Sequence, residues 1–214
     1  IDCANKAVEV LSRLGNKNEL TRAYFTASLQ SWYAANIVEQ EKKRNELVQR
    51  SLNYSEKALE LSREVDNPYY TAMSNWAATV CNLLFTEKVE SSLKYAEEML
   101  KLGKVVRDNY LRGVASYILT FVINWMMLRE ADPDKKREEL GKIIKYAEDA
   151  NRYLQLVSQD FFIAGTYLFY AETYSSIARE VETDPKEKRA MLEKAIGIGR
   201  KGLEHATRSG SPDA

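Results

Sequence analysis

Three stretches of this chain repeat one pattern of small and large residues, and that repetition constrains the fold more than any other feature. Laid without gaps from Ser51, Ser92 and Ile143, they bring Tyr54 onto Tyr95 and Tyr146, and Glu56 onto Glu97 and Glu148. Ala58 falls on Met99 and Ala150, and Val65 on Val106 and Val157. The match resumes after a polar break, where Tyr69 meets Tyr110 and Phe161, and Ala72 meets Gly113 and Ala164. The starts lie 41 and 51 residues apart. Residues 7–14 and 192–206 carry partial copies. A period of this length marks one supersecondary unit, which cannot bury its apolar face alone and stacks on its neighbours.

The columns say what that unit is. Ser51, Ser55, Ala58 and Ser62 are spaced by four, three and four, as are Ser92, Ala96, Met99 and Gly103. That spacing puts each set on one face of an α-helix. Small side chains there let a second helix approach closely, while Leu52, Leu59, Leu93 and Leu100 flank the strip and fill the gaps. The Ala72, Gly113 and Ala164 column does the same on the helix that follows. Only 9 glycines and 4 prolines interrupt the 214 residues, and no period-2 run of β-branched residues suggests a strand.

All four prolines read as helix starts: Asn67-Pro68, Asp132-Pro133, Asp184-Pro185 and Ser211-Pro212. In each, a capping side chain precedes a proline at the first helical position, where a missing N–H costs nothing. The expected helices span 2–15, 18–44, 46–65, 68–86, 88–107, 109–130, 133–157, 160–182 and 185–208. No glycine or proline marks the break expected at Arg44-Asn45. The expected fold class is all-α: an antiparallel helix-pair solenoid of about nine helices over a single domain, 1–214. It counts as five pairs with the last cut in half. Because the chain opens on Ile1 and its final proline would begin a helix, a piece of a longer protein is expected.

Glu56 to Leu61, "EKALEL", resembles the second-helix signature of the tetratricopeptide repeat (TPR). So do the small residues Ser51, Ser55 and Ala58 and the helix-start Pro68. The resemblance covers nearly the whole chain as architecture. The spacing of 41 to 51 exceeds the 34 residues usual for that repeat, so longer helices are expected. The first-helix Trp-x-x-Leu-Gly-x-x-Tyr pattern is missing, with Trp76 at best a remnant. The family's carboxylate-clamp pattern of Lys and Asn has no match. The resemblance implies a superhelix whose first helices line a concave surface that binds protein or peptide.

Lys plus Arg and Asp plus Glu number 31 each, so no net field attracts nucleic acid or an anionic membrane. Cys3 and Cys81 show no disulfide framework, which suggests a reducing, cytoplasmic setting. The "GIGRKG" run at 197–202 fits a dinucleotide fingerprint in letters only, since no strand precedes it. Residues 113–128 are uncharged but fall short of the roughly 20 residues a membrane span needs. They read as a buried central helix. His205, the only histidine, cannot build a histidine-based metal cluster and reads as a helix-end residue. The pairs Glu97-Glu98 and Glu138-Glu139 read as solvated faces rather than acid–base dyads. "EQEKKRN" at 39–45 reads as a solvated helix end. No catalytic residue, metal or cofactor is expected.

If first helices line a concave face, as the resemblance implies, the peptide-binding candidates are Asn75, Thr79, Asn82, Ser116, Thr120, Asn124 and Tyr167. Tyr33, Trp76 and Tyr117 would offer apolar contact. The alternative is that these polar groups satisfy neighbouring helices. The expected function is a non-catalytic scaffold for a protein or peptide partner, with possible self-association through exposed repeat ends. A second reading is a regulatory, ligand-sensing part of a larger signalling ATPase, cyclase or transcription regulator. A phosphopeptide binder resembling 14-3-3 proteins would need Arg or Lys and Tyr converging in one groove, and sequence spacing locates no such cluster.

Overall fold

The computed structural model describes residues 2–210. Among the described residues the protein is all-α, with nine helices and no strand. They are α1 (Asp2–Leu14), α2 (Lys17–Ile37), α3 (Glu41–Glu64), α4 (Pro68–Phe85), α5 (Val89–Val105), α6 (Asn109–Arg129), α7 (Pro133–Gln155), α8 (Asp160–Glu180) and α9 (Pro185–Ser209). The Ser211-Pro212 start lies outside the described residues.

Local chemistry explains the boundaries. Asn67 accepts from the Tyr69 and Tyr70 N–H groups, Asp132 from Asp134 and Lys135, and Asp184 from Lys186 and Glu187. Each cap stands directly before a helix-start proline and satisfies donors the helix leaves open. The turns into α4, α6 and α8 share a second device. Asp66, Arg107 and Ser158, each directly before the N-cap, are left-handed, with φ of 46°, 54° and 54°. Side chains of three different types adopt the same costly conformation at equivalent places. Each lies one or two residues past the C-cap of the preceding helix, where a left-handed residue commonly closes a helix end.

One boundary moves. α2 stops at Ile37, and Val38 takes an extended conformation (φ −86°, ψ 120°), so the break falls at 38–40 rather than at Arg44-Asn45. The part of the charged run at 41–45 belongs to α3, whose first turn begins at Glu41. Lys, Arg and Glu are good helix formers, whereas the β-branched pair Ile37-Val38 loses side-chain freedom in a helix.

The chain divides into two compact units, Ile1–Arg107 and Asp108–Ala214. In the first, α1 packs on α2, α2 pairs closely with α3, and α4 lies against both α2 and α3 and pairs with α5. In the second, α6 pairs with α7, and α8 lies against both and pairs with α9. The closest couples are thus α2–α3, α4–α5, α6–α7 and α8–α9. The odd helix is α1, not the last one. Packed neighbours run antiparallel: Lys17 at the start of α2 meets Glu64 at the end of α3 at 2.8 Å. Lys136 at the start of α7 likewise meets Glu180 at the end of α8. That pair holds the Glu180 carboxyl below its usual range.

The small strips lie where helices cross. Ser51, Ser55, Ala58 and Ser62 are no more than 3% exposed, and Ile143, Ala147, Ala150 and Leu154 are fully buried. At the α2–α3 crossing, Ser28 donates to the Ser51 carbonyl at 2.9 Å, and Ser51 donates to the Ser28 carbonyl at 2.8 Å. Ser92 and Thr79 bond each other's carbonyls in the same way between α5 and α4. These four hydroxyls therefore sit in the interior without losing hydrogen bonds. The Cys81 thiol, 3.1 Å from the Ser51 hydroxyl, is also buried there. Burial pushes that thiol's pKa up, against the hydroxyls of Ser51, Ser28 and Ser55. It stays a neutral thiol, which is the unreactive form.

Candidate functional site

The second unit contains an apolar groove of about 420 Å³, built by α6, α8 and α9. On α8 it is lined at Phe161, Ala164, Gly165, Leu168 and Ala171, and on α9 at Gly199, Gly202, Leu203 and Ala206. Both sets follow the i, i+3, i+4, i+7 spacing of one helix face. Tyr117 of α6 closes the floor. No lining side chain carries a charge.

Its shape follows from small residues. A Cβ on Gly165 would lie 2.9 Å from the Tyr117 ring, so only glycine lets that ring pass under α8. Burial pushes the Tyr117 hydroxyl up to about 12, keeping it neutral. The ring then starts an aromatic run. Tyr117 lies 5.8 Å from Phe169, which stacks on Phe121 at 5.0 Å, and Phe121 meets Trp125 edge-on at 6.2 Å. Arg129 caps the run 3.8 Å above the Trp125 ring. Each such contact adds about 0.5–1.5 kcal/mol beyond area burial, which makes the α6 wall stiff.

The walls are unlike the floor. Phe161 is 59%, Leu168 63% and Leu203 56% exposed. Large apolar side chains that stand in water beside an uncharged groove mark an interaction surface more often than chance placement.

The candidate residues from the sequence are distributed differently. Asn75, Thr79, Ser116, Thr120 and Asn124 are at most 3% exposed, so none can meet a peptide in this conformation. Packed neighbouring helices cover them; Thr79 donates to the Asn75 carbonyl at 2.8 Å and Thr120 to the Ser116 carbonyl at 2.9 Å, while the Asn75 amide nitrogen and the Ser116 hydroxyl are buried with no partner. Asn124 donates to Glu172 at 2.8 Å and accepts from Thr173 at 3.0 Å. Asn82 is half-buried at the end of α4, where its carbonyl accepts from the Thr86 and Lys88 N–H groups. Tyr167 is half-buried and lines a different cleft. Of the three aromatics, Tyr117 lines the groove, Trp76 packs 5.8 Å from Phe25, and Tyr33 is exposed.

Sequence reasoning passed over the groove, although a signal existed. Ala195, Gly199, Gly202 and Ala206 repeat the four-three-four spacing of the small strips. Here Gly199 and Ala206 remain half-exposed. The dinucleotide-like run lies wholly inside α9, as the lack of a preceding strand implies. Of its glycines Gly202 serves packing, since a Cβ there would lie 3.0 Å from the Tyr167 Cβ. Gly197 has no such neighbour within 4 Å. Gly197→Ala is therefore expected to raise stability by about 0.5–1 kcal/mol, the usual gain inside a helix. A higher urea midpoint would show it.

His205 is more than a helix-end residue. Its Nδ1 lies 2.5 Å from Asp160 at the start of α8, and its ring stacks on Tyr167 at 5.7 Å. The contact ties the last turn of α9 to the first of α8. Glu138 and Glu139 both meet Lys142 at 2.9 Å, as a charged surface does. Among the described residues no group of three His, Cys, Asp or Glu side chains could hold a metal ion. Helix α6 is long and apolar enough to cross a membrane, yet 67% of its apolar window is buried inside the protein.

No family model matches the sequence, and no curated protein matches it either.

Proposed function

We propose that this chain is a non-catalytic module that binds a protein or peptide partner, built as a TPR-like solenoid of helix pairs and working in a reducing, cytoplasmic setting. The observation that carries this reading is the uncharged groove of α8 and α9, with Phe161, Leu168 and Leu203 held out into water. The internal packing supports it. α4 rests against α2 and α3, and α8 against α6 and α7. The couple α8–α9 bears the same small-residue strip, left half-open. The occupant that suits it is an amphipathic helix, its apolar face set at i, i+3, i+4 and i+7.

The test starts from the whole chain as bait, with any captured partner then purified and titrated calorimetrically. Leu168→Glu combined with Leu203→Glu is expected to weaken the purified complex at least about tenfold, since charges would enter an apolar contact. Helicity should not change, because both side chains are exposed. Full-strength binding by the double variant sinks the groove reading. A wild-type chain that sediments as a dimer, and a double variant that does not, would assign the groove to a second copy.

A further inference from the structure

Two apolar faces of the chain stand open to water. One is the groove of α8 and α9. The other lies on α1, which among the described residues is the one helix outside a close couple. α1 buries Ala4 and Val8 in one cluster with Ala23 and Ala27 of α2. Its next face carries Cys3, Ala7, Val10 and Leu14, again with the four-three-four spacing of the small strips. Val10 is 52% and Leu14 71% exposed, and Cys3 is exposed as well. Two large apolar side chains one turn apart on such a strip form a patch rather than a scattered pair.

The two faces match in length, shape and charge. From Cys3 to Leu14 the α1 strip advances about 16 Å, and from Phe161 to Ala171 the α8 wall advances about 15 Å. The strip is small in its first half, at Cys3 and Ala7, and large in its second, at Val10 and Leu14. The groove is bulky where Phe161, Leu168 and Leu203 stand. It is small at the other end, where a Cβ on Gly199 would still lie 4.0 Å from that of Ala171. Large therefore meets small if α1 runs parallel to α8. A helix inside the chain already does the same: α4 rests on α2 and α3 and, as antiparallel neighbours require, runs parallel to α2. That direction carries Arg13, now paired with Glu9 on the surface, to the end of the groove bordered by the exposed Glu172. Neither face contains a charged residue, so the contact strips no ion of its water.

We infer that the groove of one copy binds α1 of a second copy, so that the chain joins head to tail. This rests on the groove being a helix-binding face, as proposed above, and names the helix. α1 stays packed on its own α2, because the contact uses the face turned away from that cluster. The two faces belong to different units, so the contact is heterologous. A pair of copies keeps one open face at each end, and assembly continues unless a ring closes.

Sedimentation velocity of the whole chain reads this, with a reductant present so that Cys3 forms no cross-link. Concentrations run from about 5 to 500 μM, since one helix in one groove makes a small interface. The average mass is expected to rise with concentration. Val10→Glu with Leu14→Glu spoils the α1 face, and Leu168→Glu with Leu203→Glu spoils the groove. Each double variant alone is expected to associate at least about tenfold more weakly than the parent. Helicity and melting temperature should not change, because all four side chains are exposed. An equimolar mixture of the two variants retains one intact joint, so it should form a dimer of one copy of each and nothing larger. Groove-to-groove pairing predicts instead that the α1 variant associates as the parent does. The inference is overturned if the parent stays monomeric throughout, if either double variant alone associates as the parent does, or if the mixture stays monomeric. A monomeric parent removes the second copy but leaves the groove to another partner. Full-strength capture of that partner by Leu168→Glu with Leu203→Glu removes the groove reading itself.

Discussion

Gly113→Leu is expected to unfold the unit that contains α6 to α9, and Gly113→Ala to destabilise it by about 2 kcal/mol. Alanine normally stabilises a helix interior by about 1 kcal/mol over glycine, so the packing term must be larger and opposite in sign. Geometry supplies it. A Cβ on Gly113 would lie 2.6 Å from the Leu154 Cγ and 3.1 Å from the Leu154 backbone nitrogen. Leu154 is fully buried, and because its backbone nitrogen is also crowded, the backbone of α7 would have to retreat with it. Leu154→Ala alone should cost about 2–5 kcal/mol through the cavity it leaves. The double variant Gly113→Ala with Leu154→Ala should cost less than the sum, because the new methyl occupies part of that cavity. Urea unfolding followed through Trp125, which lies in α6, reads the effect. A Gly113→Ala protein as stable as Gly197→Ala would show that α6 and α7 do not approach this closely.

Ala58→Leu is expected to cost about 3 kcal/mol, whereas Ala206→Leu stays within about 0.5 kcal/mol of the parent. The two alanines occupy strips of the same four-three-four spacing. Ala58 is fully buried, in one cluster with Ala4, Val8, Ala23, Tyr24 and Ala27, and its carbonyl accepts from the Ser74 hydroxyl at 3.1 Å. A larger side chain there must push apart α2, α3 and α4. Ala206 is half-exposed and lines the open groove, where a larger side chain projects into empty space. Urea midpoints of the two variants decide the matter. Equal costs would mean that the strip on α9 is already covered.

The Asn-Pro and Asp-Pro starts of α4, α7 and α9 were legible because capping and a missing N–H act within one turn. The strips of α3, α5 and α7 were legible because helical spacing places their residues on a common face. The end of α2 was not, since helix termination at Ile37-Val38 rests on weak side-chain preferences rather than on glycine or proline. The left-handed turns at Arg107 and Ser158 were not either, as neither residue type favours that conformation, unlike the aspartate at the equivalent Asp66. The candidate site was the least legible part. Asn75, Thr79, Ser116, Thr120 and Asn124 carry hydrogen-bonding groups that suit a groove or an interior equally well, and local sequence does not say which side of a helix another helix covers.

Periodicity, capping and composition thus determined by sequence alone that the chain is helical, where most helices begin, and which faces carry small residues. These properties depend on neighbours within about one turn. Only the tertiary structure decided which strips are covered, which hydroxyls are spent on carbonyls, and which side chains meet around a cleft. Tyr117, Gly165, Leu168, Gly199 and Leu203 come from three helices and share no local motif. Their meeting depends on α8 resting on α6 and pairing with α9, and no spacing along the chain encodes that contact.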